Sequence, residues 1–352
     1  MPEPVRIEES GSVEKDAHRL RNGIIWTVAL LLLLLAIGLA VPDLRGVIDR
    51  ATHAAPGWLA LGVVLEIASC LGYVATVRLV LHRGPRREVR WLAWAEMAFG
   101  AVVPVGGAGG LAVGAWAMRA WGIPWSRIAN RSAVIFLLTS AVNGIVLVLA
   151  GIGVAAGLGS PHEGIEYGLI PALATIVGLG AFMVLPRIFR EPGTGRHGKV
   201  VSTLERTASW VRDTEGFVWR PDWRLLGAVG YLLFDIAVLW ACLRAVGTSP
   251  SLLAIVVGYQ VGYMANVIPI PGGVGVLEGG LLAALLLYGL PAAPTAAAVV
   301  LYHTIALWIP SIGGTIGFAR LRRAVTAPSA EVMAFRPREA DSRAGDVDEV
   351  AA

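Results

Sequence analysis

Charged residues are scarce in this sequence: only 15% of its 352 residues are Asp, Glu, Lys or Arg, whereas 56% are hydrophobic. A chain this apolar would not stay soluble without lipid or detergent, which argues against the ordinary water-soluble classes. Apolar runs of about 20 residues recur along the chain, and a run of that length can cross a hydrocarbon core about 30 Å thick. The composition therefore predicts an all-α polytopic membrane protein.

Cysteine and the common catalytic motifs are also rare or missing. Cys70 and Cys242 are the two cysteines, and both fall inside apolar runs, where small buried side chains are more typical than a disulfide or a metal pair. The sequence has no GxxxxGK[ST] phosphate loop, no HExxH motif and no Ser/His/Asp set that its spacing could support. We therefore expect no enzyme activity, no nucleotide hydrolysis, no metal or cofactor, and no nucleic-acid partner.

Six apolar runs read as full transmembrane spans, at about 24–41, 58–81, 132–157, 167–186, 225–246 and 293–319. No small-x-small cleavage site follows the first run, so it is expected to be a retained span. Two further stretches, 91–121 and 252–290, are interrupted by "PVGGAGG" (104–110) and "PIPGGVG" (269–275). Proline removes a helix donor and glycine permits tight turns, so each stretch is predicted to be a re-entrant hairpin of two half-helices.

The basic residues predict the orientation of the chain. Segments before residue 24, at 82–90, 119–131 and 187–224, and after 319 hold 25 of the 29 Lys and Arg residues. Cytoplasmic loops carry such an excess, so both termini are expected in the cytoplasm, with the protein in the plasma membrane. Because successive loops lie on alternate sides of the membrane, the first interrupted stretch must enter it from the cytoplasm and the second from outside.

This arrangement predicts an inverted repeat. A first half, about 58–157, and a second half, about 225–319, each contain a span, a hairpin and a span. The segment "VVPVGGAGG" (102–110) aligns with "VIPIPGGVGV" (267–276) after one deletion, and "LEIA" (65–68) aligns with "FDIA" (234–237).

The segments outside the two halves are more polar. Residues 198–219 have apolar residues at helical spacing, which predicts a cytoplasmic amphipathic helix lying on the membrane; a loop helix packed on the protein is the alternative. This helix belongs to a cytoplasmic segment at about 187–224. The domain boundaries are expected at 1–22 for a cytoplasmic N-terminal segment, 23–323 for the transmembrane domain and 324–352 for a disordered tail.

The broken helices predict a binding site. Irregular backbone at membrane depth is tolerated where protein buries it or where it lines a wet cavity, and paired breaks in inverted repeats are typical of transporter sites. Half-helices beginning near Gly110 and Gly275 would present free N–H groups to a headgroup. Close helix packing through glycine is the alternative. The candidate binding residues in the two breaks are Pro104, Gly107, Gly109, Gly110, Asn266, Pro269, Pro271, Gly272, Gly273 and Gly275.

Acidic residues inside the spans are further candidates. Glu66 and Asp235 lie near the middle of matched spans, where a carboxylate is costly unless it is paired, wet or protonated. They are expected to line a central cavity and to handle a cationic headgroup or protons; a protonated acid bonded to a neighbouring helix is the alternative. Glu278 is either a cap of its half-helix or a substrate contact. His303 and Asn143 are weaker candidates, because polar side chains in membrane helices more often bond nearby backbone or hydroxyl groups.

The stretch "NVIPIPGGVGVLEGGL" (266–281) resembles the signature of the lysylphosphatidylglycerol synthase transmembrane family, also called the flippase-like domain family. The matching positions are Pro269, Pro271, Gly272, Gly273, Gly275 and Glu278, and the resemblance covers roughly 24–320. Many members carry Gly-Glu or Gly-Asp and an Arg after the first-hairpin proline, whereas "GGLAVGAW" (109–116) has neither charge.

The resemblance implies a stand-alone flippase-like protein that binds and moves a phospholipid or lipid-linked molecule, without the aminoacyl-transferase found in fused members. Membrane lipids would then be its partners, with anionic or aminoacylated phospholipids among the candidates. A secondary transporter of a small amphiphilic or ionic solute is the alternative, and a membrane-embedded headgroup transferase is a weaker one.

Overall fold

A computed structural model describes residues 42–82, 84–102, 108–158, 165–188, 199–218, 222–264 and 276–326. The chain divides into two compact units, Met1–His53 and Ala54–Ala352. Within the first unit the described residues form one helix, α1 (Pro42–Thr52).

The described part of the second unit is built from helices and turns, with no strand. Its ten helices are α2 (Pro56–Val80), α3 (Arg86–Val102), α4 (Ala108–Ala120), α5 (Trp125–Ala155), α6 (Ile165–Ile188), α7 (Lys199–Val218), α8 (Leu225–Ala245), α9 (Leu252–Met264), α10 (Val276–Leu287) and α11 (Ala292–Thr326). The predicted all-α fold is confirmed.

Four of these helices, α2, α5, α8 and α11, are long and apolar enough to cross a membrane. At 1.5 Å per residue, even the shortest of them, with 21 residues, reaches about 30 Å. Large apolar side chains on their outer faces are exposed, among them Val64, Phe136 and Val300. Such exposure suits lipid rather than water.

The other two predicted spans have different outcomes. The span at 24–41 lies outside the described residues. The span at 167–186 corresponds to α6, whose apolar stretch is Gly168–Ala181.

Each interrupted apolar stretch contains two helices, as the prolines and glycines predict. The first stretch holds α3 and α4, which pack against each other, and the second holds α9 and α10, which also pack together. The connecting residues 103–107 and 265–275 lie outside the described part of the chain. The half-helices predicted to begin near Gly110 and Gly275 begin at Ala108 and Val276.

The same turn ends α4 and α10. Gly122 and Gly289 adopt positive φ values of 82° and 80°, a conformation that glycine enters without a Cβ penalty. Backbone N–H groups then bond back to the helix end: Ile123 to Met118 at 3.0 Å and Leu290 to Leu285 at 3.2 Å.

The sequences of these two turns match as well. They read "WGIP" (121–124) and "YGLP" (288–291), aromatic, glycine, aliphatic and proline, at a separation of 167 positions. In each turn the aromatic and the aliphatic side chains are buried. A long apolar helix, α5 or α11, begins directly after each one.

The two helix quartets, α2–α5 and α8–α11, also pack in matching ways. α2 packs against α8, where the backbones approach closely at Gly72 and Gly227. α3 packs on α11 as α9 packs on α5, and α4 contacts α5 as α10 contacts α11. Small residues at the α2–α8 crossing allow this approach, which lies in the first turn of α8 and in the second half of α2.

The predicted helix at 198–219 is present as α7 (Lys199–Val218). Ala208 and Val211, two of the apolar residues that predict its amphipathic face, are buried. α7 packs against α5 and α6. This part of its apolar face is therefore used in packing on the protein, which is the alternative to lying on the membrane.

Candidate functional site

Asp235 lies on α8 at the centre of a tyrosine cluster. The Tyr302 hydroxyl, from α11, lies 3.1 and 3.0 Å from the two carboxylate oxygens of Asp235 and donates to them. The Tyr259 hydroxyl, from α9, donates to Asp235 Oδ2. Both tyrosines are buried, and their rings meet edge to face with centroids 6.3 Å apart. Three helices thus converge on one carboxyl group.

Glu66 lies on α2 close to this cluster. Its side chain is 5% exposed, and it interacts electrostatically with Asp235 across the α2–α8 crossing. Cys70 Sγ lies 3.6 Å from Glu66 Oε1 as a weak donor. The structure therefore brings together the two acidic residues that occupy matched positions in the sequence.

The second carboxylate oxygen of Glu66 differs from the first in its contacts. Oε2 is buried and has no hydrogen-bond partner among the described residues. A buried polar atom without a partner is costly, so protonation or an arriving cationic group would relieve this cost. Chemically, the Glu66–Asp235 pair can take up a proton or pair with a positively charged headgroup.

A second polar cluster joins Glu96 on α3 to Arg131 on α5. Arg131 Nη1 and Nη2 donate to Glu96 Oε1 and Oε2 at 2.6 and 2.8 Å, and both side chains are buried. Tyr73, from α2, donates a third bond to Glu96 Oε2 at 3.2 Å. A bidentate guanidinium–carboxylate pair of this kind is among the stronger polar contacts in proteins.

Sequence reasoning misses this pair. By sequence, Arg131 belongs to the basic segment at 119–131, but α5 begins at Trp125 and carries Arg131 in its second turn. Glu96 is the signal that could have found the pair, because it is an isolated acidic residue within the apolar stretch 91–121.

The Glu96–Arg131 pair packs against the first hairpin. Gly110 and Gly114 on α4 both face Glu96: a Cβ on Gly110 would lie 2.5 Å from the Glu96 carbonyl oxygen, and one on Gly114 would overlap its carboxylate. The absence of charge in "GGLAVGAW" is thus accompanied by a charged pair from α3 and α5 beside the same helix. Of the candidate residues in this hairpin, Gly109 and Gly110 are buried in the first turn of α4, and Pro104 and Gly107 lie outside the described residues.

The two clusters adjoin each other at the α2–α8 crossing. The rings of Tyr73 and Tyr231 lie 5.4 Å apart, and Tyr231 interacts electrostatically with both Asp235 and Glu66. Polar groups therefore follow one another through the apolar helices, from Arg131 at one end to Tyr302 at the other.

Glu278 pairs with His303. His303 Nδ1 lies 3.0 Å from Glu278 Oε1, and the two side chains are 41% and 25% exposed, respectively. Glu278 is in the first turn of α10, as predicted, and His303 comes from α11. The partner of His303 shown here is therefore a carboxylate, whereas its membrane location suggests a backbone or hydroxyl group.

The remaining candidate residues add little to the described site. The Asn143 amide donates to the Thr139 carbonyl of its own helix at 2.8 Å, as expected for a polar residue in a membrane helix. The candidates Asn266, Pro269, Pro271, Gly272, Gly273 and Gly275 lie outside the described residues.

The sequence is similar to those of known membrane proteins. The chain matches the family model described as the lysylphosphatidylglycerol synthase TM region over residues 24–314. It is also similar to a UPF0104 membrane protein from Methanothermobacter thermautotrophicus, with 23% identity over 347 residues, which cover 89% of this chain and 97% of that protein. The family match spans both broken stretches and all the polar clusters described above.

Proposed function

We propose that this chain, which belongs to the lysylphosphatidylglycerol synthase transmembrane family, binds a phospholipid or lipid-linked molecule and moves it between membrane leaflets. As a membrane protein with several apolar helices, it contacts membrane lipids along its outer surface. The movement requires no chemistry on the lipid itself, and we assign the protein no catalytic step.

The observation that carries this proposal is the buried carboxyl pair at the α2–α8 crossing. Asp235 is fixed by two tyrosine hydroxyls, whereas Glu66 Oε2 lacks a donor among the described residues. Ionisable residues inside membrane helices are costly and mark substrate or proton pathways. A zwitterionic or cationic headgroup would supply the missing partner of Glu66, and the fixed Asp235 would keep its geometry while the headgroup passes.

The matching helix quartets support an alternating-access mechanism. Helix order, packing partners and the "WGIP" and "YGLP" turns recur in α2–α5 and α8–α11. We propose that these quartets form an inverted repeat, with α3–α4 entering from the cytoplasm and α9–α10 from outside. Rocking of one half against the other would then expose the carboxyl pair to each leaflet in turn.

The second hairpin is proposed to select the headgroup. Glu278 lies in the first turn of α10, the helix that follows the "PIPGGVG" break, and it faces His303. A carboxylate there disfavours a bare phosphate and suits a headgroup that carries a positive charge.

We also propose a plasma-membrane location with both termini in the cytoplasm.

Reconstitution tests the function. Full-length protein in liposomes that contain a trace of headgroup-labelled fluorescent phospholipid should make the inner-leaflet label accessible to dithionite, whereas protein-free liposomes should retain about half of the signal. Labelled phosphatidylglycerol and phosphatidylethanolamine would show which headgroup is preferred. The same bleaching plateau with and without protein would contradict the proposal.

A secondary transporter of a small ionic solute is the second candidate, because a carboxyl pair that can carry protons suits proton coupling as well as headgroup binding. The two candidate functions differ in how they depend on the lipid composition of the membrane. A solute transporter would move protons across liposomes of any composition and leave the labelled lipid in its original leaflet.

A further inference from the structure

A cluster of basic side chains surrounds an open cavity at the ends of three helices. The cavity lies where α2 ends, where α3 begins and where α8 begins. Its empty volume is about 280 Å³, which includes the open space at its mouth. The residues that line it are Arg78, Leu81, His82, Gly84, Arg86, Val89 and Arg224.

The arginines in this cavity repel one another. Arg78 interacts electrostatically, as a like charge, with Arg224, Arg86 and Arg90. The ion pair between Arg224 and Asp222 is loose, with 3.9 Å between Nη1 and Oδ2. Like charges held together cost free energy, and a bound anion would offset this cost.

Arg224 also contributes a buried donor beside the cavity. Arg224 Nε is buried and has no hydrogen-bond partner among the described residues. Guanidinium groups match the geometry of phosphate oxygens and bind them in pairs of parallel hydrogen bonds. Three guanidinium groups around one cavity therefore suit an anion with several oxygen acceptors, such as a phosphate group.

The surroundings of the cavity place it at headgroup depth. The apolar helix α2 ends at Val80, next to the lining residues, and α8 begins directly after Arg224. Trp223 and Leu226, on either side of Arg224 and Leu225, are 70% and 68% exposed. Exposed tryptophan next to arginine is typical of the membrane interface, where basic pockets between helices bind anionic headgroups.

We infer that this cavity, between the ends of α2, α3 and α8, is a binding site for a phosphate group, supplied by the headgroup of an anionic phospholipid. The site is separate from the Glu66–Asp235 pair and does not depend on the proposed transport function. A lipid held there would anchor α2 and α8 at the membrane surface, close to the crossing that carries the carboxyl pair.

Binding to the full-length protein in a neutral detergent tests this inference. Isothermal titration would compare three probes: dihexanoyl phosphatidylglycerol, dihexanoyl phosphatidylcholine and inorganic phosphate. We expect phosphatidylglycerol to bind more tightly than phosphatidylcholine, whose choline group the arginines repel. The double variant Arg86→Gln/Arg224→Gln should weaken phosphatidylglycerol binding about tenfold or more, since it removes charge-assisted hydrogen bonds.

The matched control is Arg322→Gln/Arg323→Gln, which removes the same charge from two exposed positions near the end of α11. It should leave binding within about twofold. The single variant Arg86→Gln, at an exposed residue in the first turn of α3, should weaken binding in the same direction if the double variant does not fold.

The outcomes separate the sources of the phosphate. Inorganic phosphate that binds as tightly as phosphatidylglycerol, with the same dependence on Arg86 and Arg224, would overturn the lipid assignment and leave a free-anion site. Equal weakening by the cavity variant and the control, or no weakening by either, would overturn the phosphate site itself.

Discussion

Arg131 on α5 and Glu96 on α3 form a bidentate ion pair, with both nitrogen–oxygen distances below 3 Å. The pair ties α5 to α3 beside the first hairpin, and Tyr73 ties it to α2. Leaving one charge of such a buried pair without its partner strongly destabilises a protein. The stability of the protein should therefore be sensitive to substitution of either residue.

Removing one residue of this pair should lower the stability of the protein more than removing both residues. Arg131→Met should destabilise the protein by about 3–5 kcal/mol, because it leaves the Glu96 carboxylate buried without its cation. The double variant Glu96→Gln/Arg131→Met should recover part of this loss. Thermal unfolding in detergent, followed by fluorescence-detected size exclusion, would measure the order of Tm values. A double variant less stable than Arg131→Met would contradict the interpretation.

Gly114 provides a steric test of the same contact. A Cβ at this position would overlap the Glu96 carboxylate and lie 3.1 Å from Arg131 Nη1, so Gly114→Ala should lower stability by about 1–3 kcal/mol. Gly100→Ala is the control, since a Cβ placed there would meet nothing within 4 Å among the described residues, and helix propensity favours alanine by up to about 1 kcal/mol. The Tm should fall for Gly114→Ala and hold or rise for Gly100→Ala. Equal Tm shifts would show that the Glu96 contact is not as tight as described.

Glu278 should influence lipid choice more than folding. Glu278→Gln keeps the shape of the side chain and removes its charge, so we expect normal expression and a shift in headgroup preference in the reconstituted assay. As a helix cap alone, Glu278 would contribute about 0.5–1 kcal/mol to stability. His303→Gln removes the partner and keeps the carboxylate. Unchanged transport and preference in Glu278→Gln would leave only the capping role.

Single cysteines can report the orientation. In a background with Cys70→Ser and Cys242→Ser, cysteines at Gly159 and Thr248 should react with an impermeant maleimide added to intact cells. A cysteine at Gly195 should react only after the cells are permeabilised, because the basic segment around it is expected in the cytoplasm. Labelling of Gly195 from outside would invert the proposed topology.

The fold class and the paired breaks can be predicted well from the sequence, because proline and glycine are unusual in long apolar runs and leave a clear pattern. Glu66 and Asp235 can also be identified as neighbours, since a carboxylate inside a span is rare and the two occupy matched positions. The "WGIP" and "YGLP" turns are visible in the sequence at a constant separation but are short and easily overlooked.

Other features could not be predicted in this way. The Glu96–Arg131 contact joins residues 35 positions apart, and only the packing of α3, α4 and α5 shows that they meet. The tyrosines around Asp235 come from α9 and α11, and tyrosine in an apolar run gives no sign of its hydrogen-bond partner. The basic cavity likewise combines Arg78, which resembles an ordinary span-end residue, with Arg224 from the far half of the chain.

Lipid movement by variants of the carboxyl pair tests the central claim most directly. Glu66→Gln and Asp235→Asn should each insert and purify normally but slow the bleaching of inner-leaflet labelled phospholipid by dithionite about tenfold or more. The first variant removes the charge that is proposed to pair with the headgroup. The second removes the neighbouring charge that the tyrosine hydroxyls hold in place. Asp213→Asn, an exposed residue on α7, is the matched control and should behave as the unmodified protein. Folded Glu66→Gln and Asp235→Asn proteins that move lipid at the unmodified rate would contradict the account.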